Sequence, residues 1–240
     1  MKIFFIIIIL LAVTVLGWAG LTKAGYIYNY LEIEYLCPEQ DKSDSSETSE
    51  DINTQPMYGK PVIYLYPQQK QEVNVELNFE GNLTVSYPEY NNGWNVIAHP
   101  DGKIINTIDN REYSYLFWEG LDENANYDLS SGFIVPGTDT TQFFQEKLSE
   151  IGLTANEYNE FIVYWLPLMQ NNNYNLIHFA TKEEYSDRVK LDINPKPESE
   201  LRVFMVYQKL ENNTLQIEPQ ELESFTRNGF TVVEWGGTEI

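Results

Sequence analysis

The sequence predicts an α+β fold, in which a strand-rich, sandwich-like lobe is followed by a mixed α/β lobe and preceded by an N-terminal hydrophobic helix. Three observations lead to this fold class. Residues 3–21 carry no charge, residues 60–118 alternate between apolar and polar side chains, and the apolar spacing lengthens to a helical period after Gly137.

The N-terminal residues 1–22 are predicted to form a signal anchor, that is, a transmembrane helix. The uncharged run of residues 3–21 would be about 28 Å long as a helix, which is enough to span a bilayer. A cleaved signal peptide is the alternative, with a weak cleavage site at Gly17, Trp18 and Ala19. We expect the remainder on the extracytoplasmic face, anchored to the membrane, or secreted if the segment is cleaved.

Residues 23–59 are predicted to connect this helix to the globular part. Residues 26–35 are rich in tyrosine, which favours the membrane interface, and a short packed strand or helix is the alternative. Residues 38–56 are acidic and lack apolar periodicity, so we expect an extended linker.

Residues 60–136 are predicted to form the strand-rich lobe, because short segments rich in β-branched and aromatic residues alternate with turn residues. These segments are residues 61–67, 72–79, 83–88, 93–99, 103–108 and 112–118. The first of them, within KPVIYLYP at residues 60–67, lies between two prolines that cannot donate ladder hydrogen bonds. It is therefore predicted to be an edge strand.

Residues 137–240 are predicted to form the mixed lobe. Three helices are indicated by the spacing of Phe144, Leu148 and Ile151 before Gly152, by the capping pair Thr154 and Glu157, and by the capping pair Thr181 and Glu184. Pro167 is expected to end the second helix. Strands are predicted at residues 174–180, 188–194, 201–208 and 229–235.

Composition excludes several classes of function. The chain carries 15 Lys and Arg against 36 Asp and Glu, and a net charge of -21 repels nucleic acid. Cys37 is the single cysteine, and His99 and His178 are the two histidines, so no thiolate or histidine-rich metal centre is expected. The loop at residues 122–128, DENANYD, has the oxygen spacing of a calcium loop, but Tyr127 replaces its glycine. We therefore expect no metal and no cofactor.

Five segments resemble the signature segments of a family of uncharacterised bacterial and fungal proteins. They are KPVIYLYP (residues 60–67), SYLFWEG (114–120), FIVYWLP (161–167), LRVFMVY (201–207) and VVEWGGTEI (232–240). The resemblance covers residues 60–240 and implies that both lobes fold as one unit. It implies no substrate, because no activity is established for that family.

The candidate catalytic residues are Glu119 and Glu234, which strand alternation places on otherwise apolar faces. A desolvated carboxyl group has a raised pKa and can act as a general acid, or pair with a second one in glycoside hydrolysis. Ion pairing with an arginine is the structural alternative for each glutamate. Trp118, Trp165 and Trp235 are the candidate binding residues, since indole rings stack on sugars.

The leading functional hypothesis is a membrane-tethered, extracytoplasmic binding or structural module with an aromatic surface for a polysaccharide or a partner protein. The alternative is a glycan hydrolase that uses Glu119 and Glu234. For either function, we expect the two glutamates to share one concave surface with the tryptophans at its rim, while residues 62–66 back that surface as core.

Overall fold

The computed structural model describes residues 57–240, which form strands, three helices and a short 3-10 turn at Gly137–Asp139. The strands are β1 (Met57–Tyr66), β2 (Gln71–Phe79), β3 (Asn82–Tyr87), β4 (Trp94–Ala98), β5 (Ile104–Asn106), β6 (Glu112–Tyr113), β7 (Leu116–Leu121), β8 (Ser131–Pro136), β9 (Tyr174–Phe179), β10 (Val189–Asn194), β11 (Ser199–Leu210), β12 (Glu218–Pro219) and β13 (Thr231–Glu239). The helices are α1 (Thr140–Ile151), α2 (Ala155–Met169) and α3 (Lys182–Arg188).

The strands form two sheets, and the fold is a β-rich α+β fold. Eight strands make one sheet in the order β12-β8-β9-β11-β13-β1-β7-β3, and five make the other in the order β10-β2-β4-β5-β6. Both sheets contain strands from residues 60–136 and from residues 137–240, so the two predicted lobes do not correspond to the two sheets. The boundary between the lobes stays a prediction.

The eight-stranded sheet is the middle layer of three. One face packs against the five-stranded sheet through a core that includes Trp94, Trp118 and Phe204. The other face packs against α1 and α2 through a second core that includes Phe161 and Trp235. Alternate side chains of a central strand therefore enter different cores, as the two-residue period of a strand requires.

The two predicted long helices are confirmed, together with the signals that begin and end them. Gly152 follows α1 with φ 119°, the left-handed conformation that glycine adopts without a steric cost. The backbone N–H of Thr154 donates to Glu157 Oε2 at 2.7 Å, which gives α2 one half of a capping box. Pro167, however, does not end α2, which continues to Met169, because a proline in the last turn removes a single hydrogen bond.

The prediction that KPVIYLYP forms an edge strand is wrong. β1 lies inside the eight-stranded sheet and pairs with β13 on one side and β7 on the other. Both pairings shift register between Tyr58 and Val62, and Lys60 has φ 47°. Pro61 thus lies in a β-bulge, the place inside a sheet where a missing N–H is tolerated.

Two other strand predictions need correction. Residues 112–118 do not form one strand, because the chain leaves the five-stranded sheet after β6 and enters the eight-stranded sheet at β7. β8 was not predicted at all, since its sequence SGFIVP contains both a glycine and a proline.

The predicted membrane helix at residues 1–22 lies outside the described residues, as do residues 23–56 of the predicted connecting segment. That segment was predicted to extend to residue 59, but residues 57–59 form the start of β1. Among residues 57–240, no helix has the length and the apolar character needed to cross a bilayer.

Candidate functional site

The sheet register places Glu119 and Glu234 on opposite faces of the eight-stranded sheet. Val62 of β1 lies directly opposite Trp235 of β13 and directly opposite Phe117 of β7. Directly paired residues direct their side chains to the same face, so Trp235 and Phe117 share a face. Glu234 then points to the other face, while Glu119 points to the face of Phe117. The expectation that the two glutamates share a concave surface is therefore wrong.

Glu234 is buried between the two sheets and bound by an arginine. Its side chain is 1% exposed, and its Oε2 accepts from Arg202 Nε at 2.7 Å. Its Oε1 accepts from the indole Nε1 of Trp118 at 3.2 Å. The Arg202 guanidinium also stacks over the Tyr185 ring at 4.4 Å and donates from Nη1 to the Val189 carbonyl. The ion pair with Arg202 is the structural alternative stated above for Glu234. Glycoside hydrolysis by two carboxylates would need Glu234 to be free, and it is not.

The three candidate binding tryptophans are core residues. Trp118 and Trp235 are 0% exposed and Trp165 is 2% exposed, so no indole ring face is open to a ligand. Trp118 lies in the core between the sheets, and the other two lie in the core beneath the helices. The expectation of a tryptophan rim is therefore wrong, while a catalytic role for the two glutamates stays a prediction.

Tyrosines and carboxylates form a partly exposed surface directly above two of these tryptophans. This surface, which we call the tyrosine surface, consists of Lys60, Tyr64, Tyr66, Tyr115, Glu119, Glu160 and Tyr164. On α2, Glu160 and Tyr164 are four residues apart and so lie on one side of the helix. Tyr64 and Tyr66 alternate on β1, and their parallel rings lie 6.0 Å apart. Tyr64 meets Tyr115 edge to face at 5.3 Å.

Lys60 lies at the centre of the tyrosine surface. Its Nζ is 5.5 Å from the ring centroid of Tyr164, 5.7 Å from that of Trp235 and 5.9 Å from that of Tyr115. These distances are within the range of cation–π attraction. The backbone N–H of Lys60 donates to Glu119 Oε1 at 3.2 Å, so the bulge in β1 fixes the position of this carboxylate.

Burial, together with the neighbouring carboxylates, raises the pKa of the phenols of the tyrosine surface. Burial raises the pKa of Tyr164, and the charge of Glu119 raises it further. Burial likewise raises the pKa of Tyr115, with Glu160 as the second cause. Tyr64 donates from its hydroxyl to Glu160 Oε2 at 3.3 Å. The surface therefore offers partly exposed aromatic rings beside carboxylate acceptors and a single ammonium group.

The calcium-like loop at residues 122–128 is organised by an arginine. Asp122 is 1% exposed and accepts from Arg188 Nε at 2.7 Å. Within residues 57–240, His, Cys, Asp and Glu side chains form no group of three or more that is suited to hold a metal ion. His178 is also buried, with Nδ1 2.8 Å from the Ser131 carbonyl oxygen.

Sequence reasoning missed most of the tyrosine surface. Two patterns in the sequence indicate it: the alternation of Tyr64 and Tyr66 in β1, and the i, i+4 pair Glu160 and Tyr164 beside the buried positions of α2. Residues 62–66 are thus not core alone, because Tyr66 is partly exposed and belongs to the tyrosine surface.

The fold and this surface define a β-rich α+β domain with a tyrosine and carboxylate surface on the helix-bearing face of its larger sheet. One relative is an uncharacterised protein in the bglA 3′ region of Butyrivibrio fibrisolvens, which is 53% identical over 64 residues. The match spans 25% of this chain and 65% of the relative, which is less than two thirds of its length. No protein family model matches the chain, and no solved structure matches it.

Proposed function

We propose that the protein is an extracytoplasmic binding module and that the tyrosine surface binds a neutral polysaccharide. The observation that carries this proposal is that the partly exposed rings of Tyr115 and Tyr164 lie beside Glu160 and Glu119, around the buried ring of Tyr64. Aromatic rings give a sugar ring an apolar contact area at a low cost in conformational entropy. Carboxylate oxygens accept hydrogen bonds from hydroxyl groups, and such charge-assisted bonds are strong.

Electrostatics favours an uncharged ligand. The chain has a net charge of -21, so an anionic polysaccharide would be repelled before it reached the surface. The ammonium of Lys60 lies within 6 Å of three aromatic ring centroids, so the rings already partly compensate its charge. A glycan without charged groups is not repelled by the net charge, and it does not need the ammonium of Lys60 as a counterion.

The first prediction concerns glycan binding. On an array of neutral and acidic glycans, the purified full-length chain is expected to bind neutral ones, and Tyr164→Ala is expected to weaken that binding about tenfold. Tyr115→Phe removes the phenol but keeps the ring, so it is expected to retain most of the affinity. Isothermal titration with the best glycan measures both effects.

Tyr87→Ala is the matched control, because Tyr87 is 58% exposed and lies outside the tyrosine surface. Equal loss of affinity in Tyr87→Ala and Tyr164→Ala would contradict the assignment of the surface. Capture of a protein instead of a glycan would favour the partner-protein form of the hypothesis. Mass analysis of the bound glycan after incubation separates binding from hydrolysis.

We also propose that residues 1–22 tether this module to the membrane and residues 23–56 hold it away from the bilayer. The support is the uncharged run at residues 3–21 followed by the acidic run at residues 38–56. Protease added outside intact cells is expected to cut within the acidic run at residues 38–56 and to release a fragment that contains β1, identified by N-terminal sequencing. Protection of the chain in intact cells, with cleavage only after lysis, would place the module on the other side.

A further inference from the structure

Part of strand β11 has a free side within the larger sheet. β11 pairs with β13 from Ser199 to Tyr207, but β9 pairs with it only from Met205 to Leu210. Among the described residues, no strand occupies the β9 side of β11 over residues 199–203. The sheet therefore has an opening at the end of β9, where the backbone of β11 is accessible to an added strand.

A cleft of about 510 Å³ lies at this opening. We call it the β11 cleft. It is bounded by the chain that leaves β9, by the first half of β11 and by residues 220–225, and its lining includes Phe179, Glu200, Arg202, Leu222 and Phe225. Its volume is within the range of ligand-binding clefts.

The backbone of β11 directs hydrogen-bonding groups into the β11 cleft. The Phe204 carbonyl accepts from the N–H of Ala180 at 2.8 Å, so it points toward the side of β9. Because orientation repeats every second residue along a strand, the carbonyls of Arg202 and Glu200 point to the same side. An extended peptide in the β11 cleft would find these acceptors in ladder geometry.

The protein itself already places an amide group against the end of β9. Gln220 accepts through Oε1 from the N–H of Phe179 at 2.9 Å and donates through Nε2 to the Phe179 carbonyl at 2.6 Å. Its side chain thus makes the pair of bonds that an adjacent strand would make on the β8 side of β9, because the neighbouring N–H of Ala180 faces β11. The segment that carries it is fixed further along, because Phe225 donates its N–H to the Ile151 carbonyl at 2.9 Å. The outer wall of the β11 cleft is therefore preformed.

The charges around the β11 cleft favour a cation. Four glutamates line it, Glu183, Glu200, Glu221 and Glu223, against two cations, Lys182 and Arg202. The charge of Arg202 is compensated by the buried Glu234, so the lining has a surplus of negative charge. The Glu200 side chain is 38% exposed and its carboxylate lies 3.7 Å from Arg202 Nε, but that guanidinium is shared with the buried Glu234. Burial raises the pKa of Glu200 although the charge of Arg202 lowers it, so a further cation beside Glu200 would stabilise its charged form.

We propose that the β11 cleft binds a short extended peptide segment with a basic side chain, which adds as a strand to the free side of β11. The peptide backbone pairs with the carbonyls of Glu200 and Arg202. Its basic side chain lies beside Glu200, and its apolar side chains contact Phe179, Leu222 and Phe225. This is β-strand addition, in which the backbone provides affinity and alternate side chains provide specificity. The site is separate from the tyrosine surface and does not depend on glycan binding.

The test uses the purified full-length chain and a defined probe, the acetylated and amidated pentapeptide Thr-Lys-Val-Lys-Thr. The acidic control peptide is Thr-Glu-Val-Glu-Thr. Two further peptides carry backbone N-methyl groups, one on the valine and one on both lysines. Affinities are measured by fluorescence anisotropy of labelled peptides, and the binding site is mapped by shifts of backbone amide resonances in NMR spectra.

The basic peptide is expected to bind and the acidic one is not. One N-methylated peptide is expected to lose at least tenfold in affinity while the other retains it, because alternate amides of an added strand face the sheet. Resonances of residues 200–203 are expected to shift. Glu200→Gln is expected to weaken binding about two- to fivefold at low salt, whereas Glu89→Gln, at an exposed position away from the cleft, is expected to have no effect.

Four results would each overturn the proposal. They are equal binding of the acidic peptide, an equal effect of the two N-methylations, resonance shifts confined to other strands, and no binding of the basic peptide at millimolar concentration. Because these four results come from changes in the peptide and from the unchanged protein, misfolding of Glu200→Gln does not affect them.

Discussion

Replacing Arg202 by methionine is expected to lower the free energy of unfolding by about 3–5 kcal/mol. Glu234 is 1% exposed, and Arg202 Nε bonds to it at 2.7 Å. In Arg202→Met the carboxylate would keep the indole N–H of Trp118, at 3.2 Å, but would lose its cation while buried between two sheets. Urea denaturation followed by tryptophan fluorescence measures the loss.

The double variant Arg202→Met/Glu234→Leu is expected to recover most of this stability, because it removes the buried charge together with its partner. Lys103→Met is the matched control. Lys103 pairs with Glu112 at 3.2 Å, but these side chains are 39% and 64% exposed, so the change is expected to stay within about 1 kcal/mol. A loss below that value in Arg202→Met would contradict the burial of the pair.

Alkaline pH is expected to unfold the protein, and the loss of stability should begin near pH 10. Burial raises the pKa of Tyr58 to about 12 although Tyr127 donates a hydrogen bond to it. A tyrosine in the unfolded chain has a pKa of about 10, so the folded state is favoured below that pH and loses its advantage as the pH rises toward 12. Tyr58 alone is expected to cost about 1.4 kcal/mol of stability at pH 11. Burial also raises the pKa of Tyr64, Tyr66, Tyr127, Tyr185 and Tyr207, which adds to the loss.

The variant Tyr58→Phe separates the titration of the Tyr58 hydroxyl from the other effects of alkaline pH on stability. The variant is expected to be about 1 kcal/mol less stable at pH 8, because it loses the acceptor of the Tyr127 hydroxyl. Between pH 10 and pH 11, however, its stability is expected to fall less steeply than that of the unchanged protein. Urea denaturation at these pH values gives both slopes, and identical slopes would show that Tyr58 titrates as it does in the unfolded chain.

Local signals in the sequence were sufficient for most elements of the fold. Phe144, Leu148 and Ile151 share one face of α1, and their spacing alone predicts that face. Alternation also placed Trp118 opposite Glu119 within β7 and Trp235 opposite Glu234 within β13, as the structure has them. These features depend on neighbours within a few positions of the chain.

The relation between distant strands could not be predicted in this way. Whether Glu119 and Glu234 share a face is decided by the register of β7 and β13 on either side of β1, and a shift of one residue would reverse the answer. Nothing near Glu119 specifies that register. The tyrosine surface was missed for the same reason, because it joins side chains from β1, β7 and α2 that are far apart in sequence.

The central position of β1 also has a mechanical consequence. Pairing of β1 to β7 begins at Met57, and pairing to β13 extends to Tyr66. A pulling force applied to the N-terminal end of the chain and directed along β1 would load both ladders in shear. Many hydrogen bonds would then have to break together instead of one after another. We therefore expect β1 to resist being pulled out of the sheet far better than an edge strand would. A ligand bound to side chains of β1 would stay attached to the sheet up to the same force.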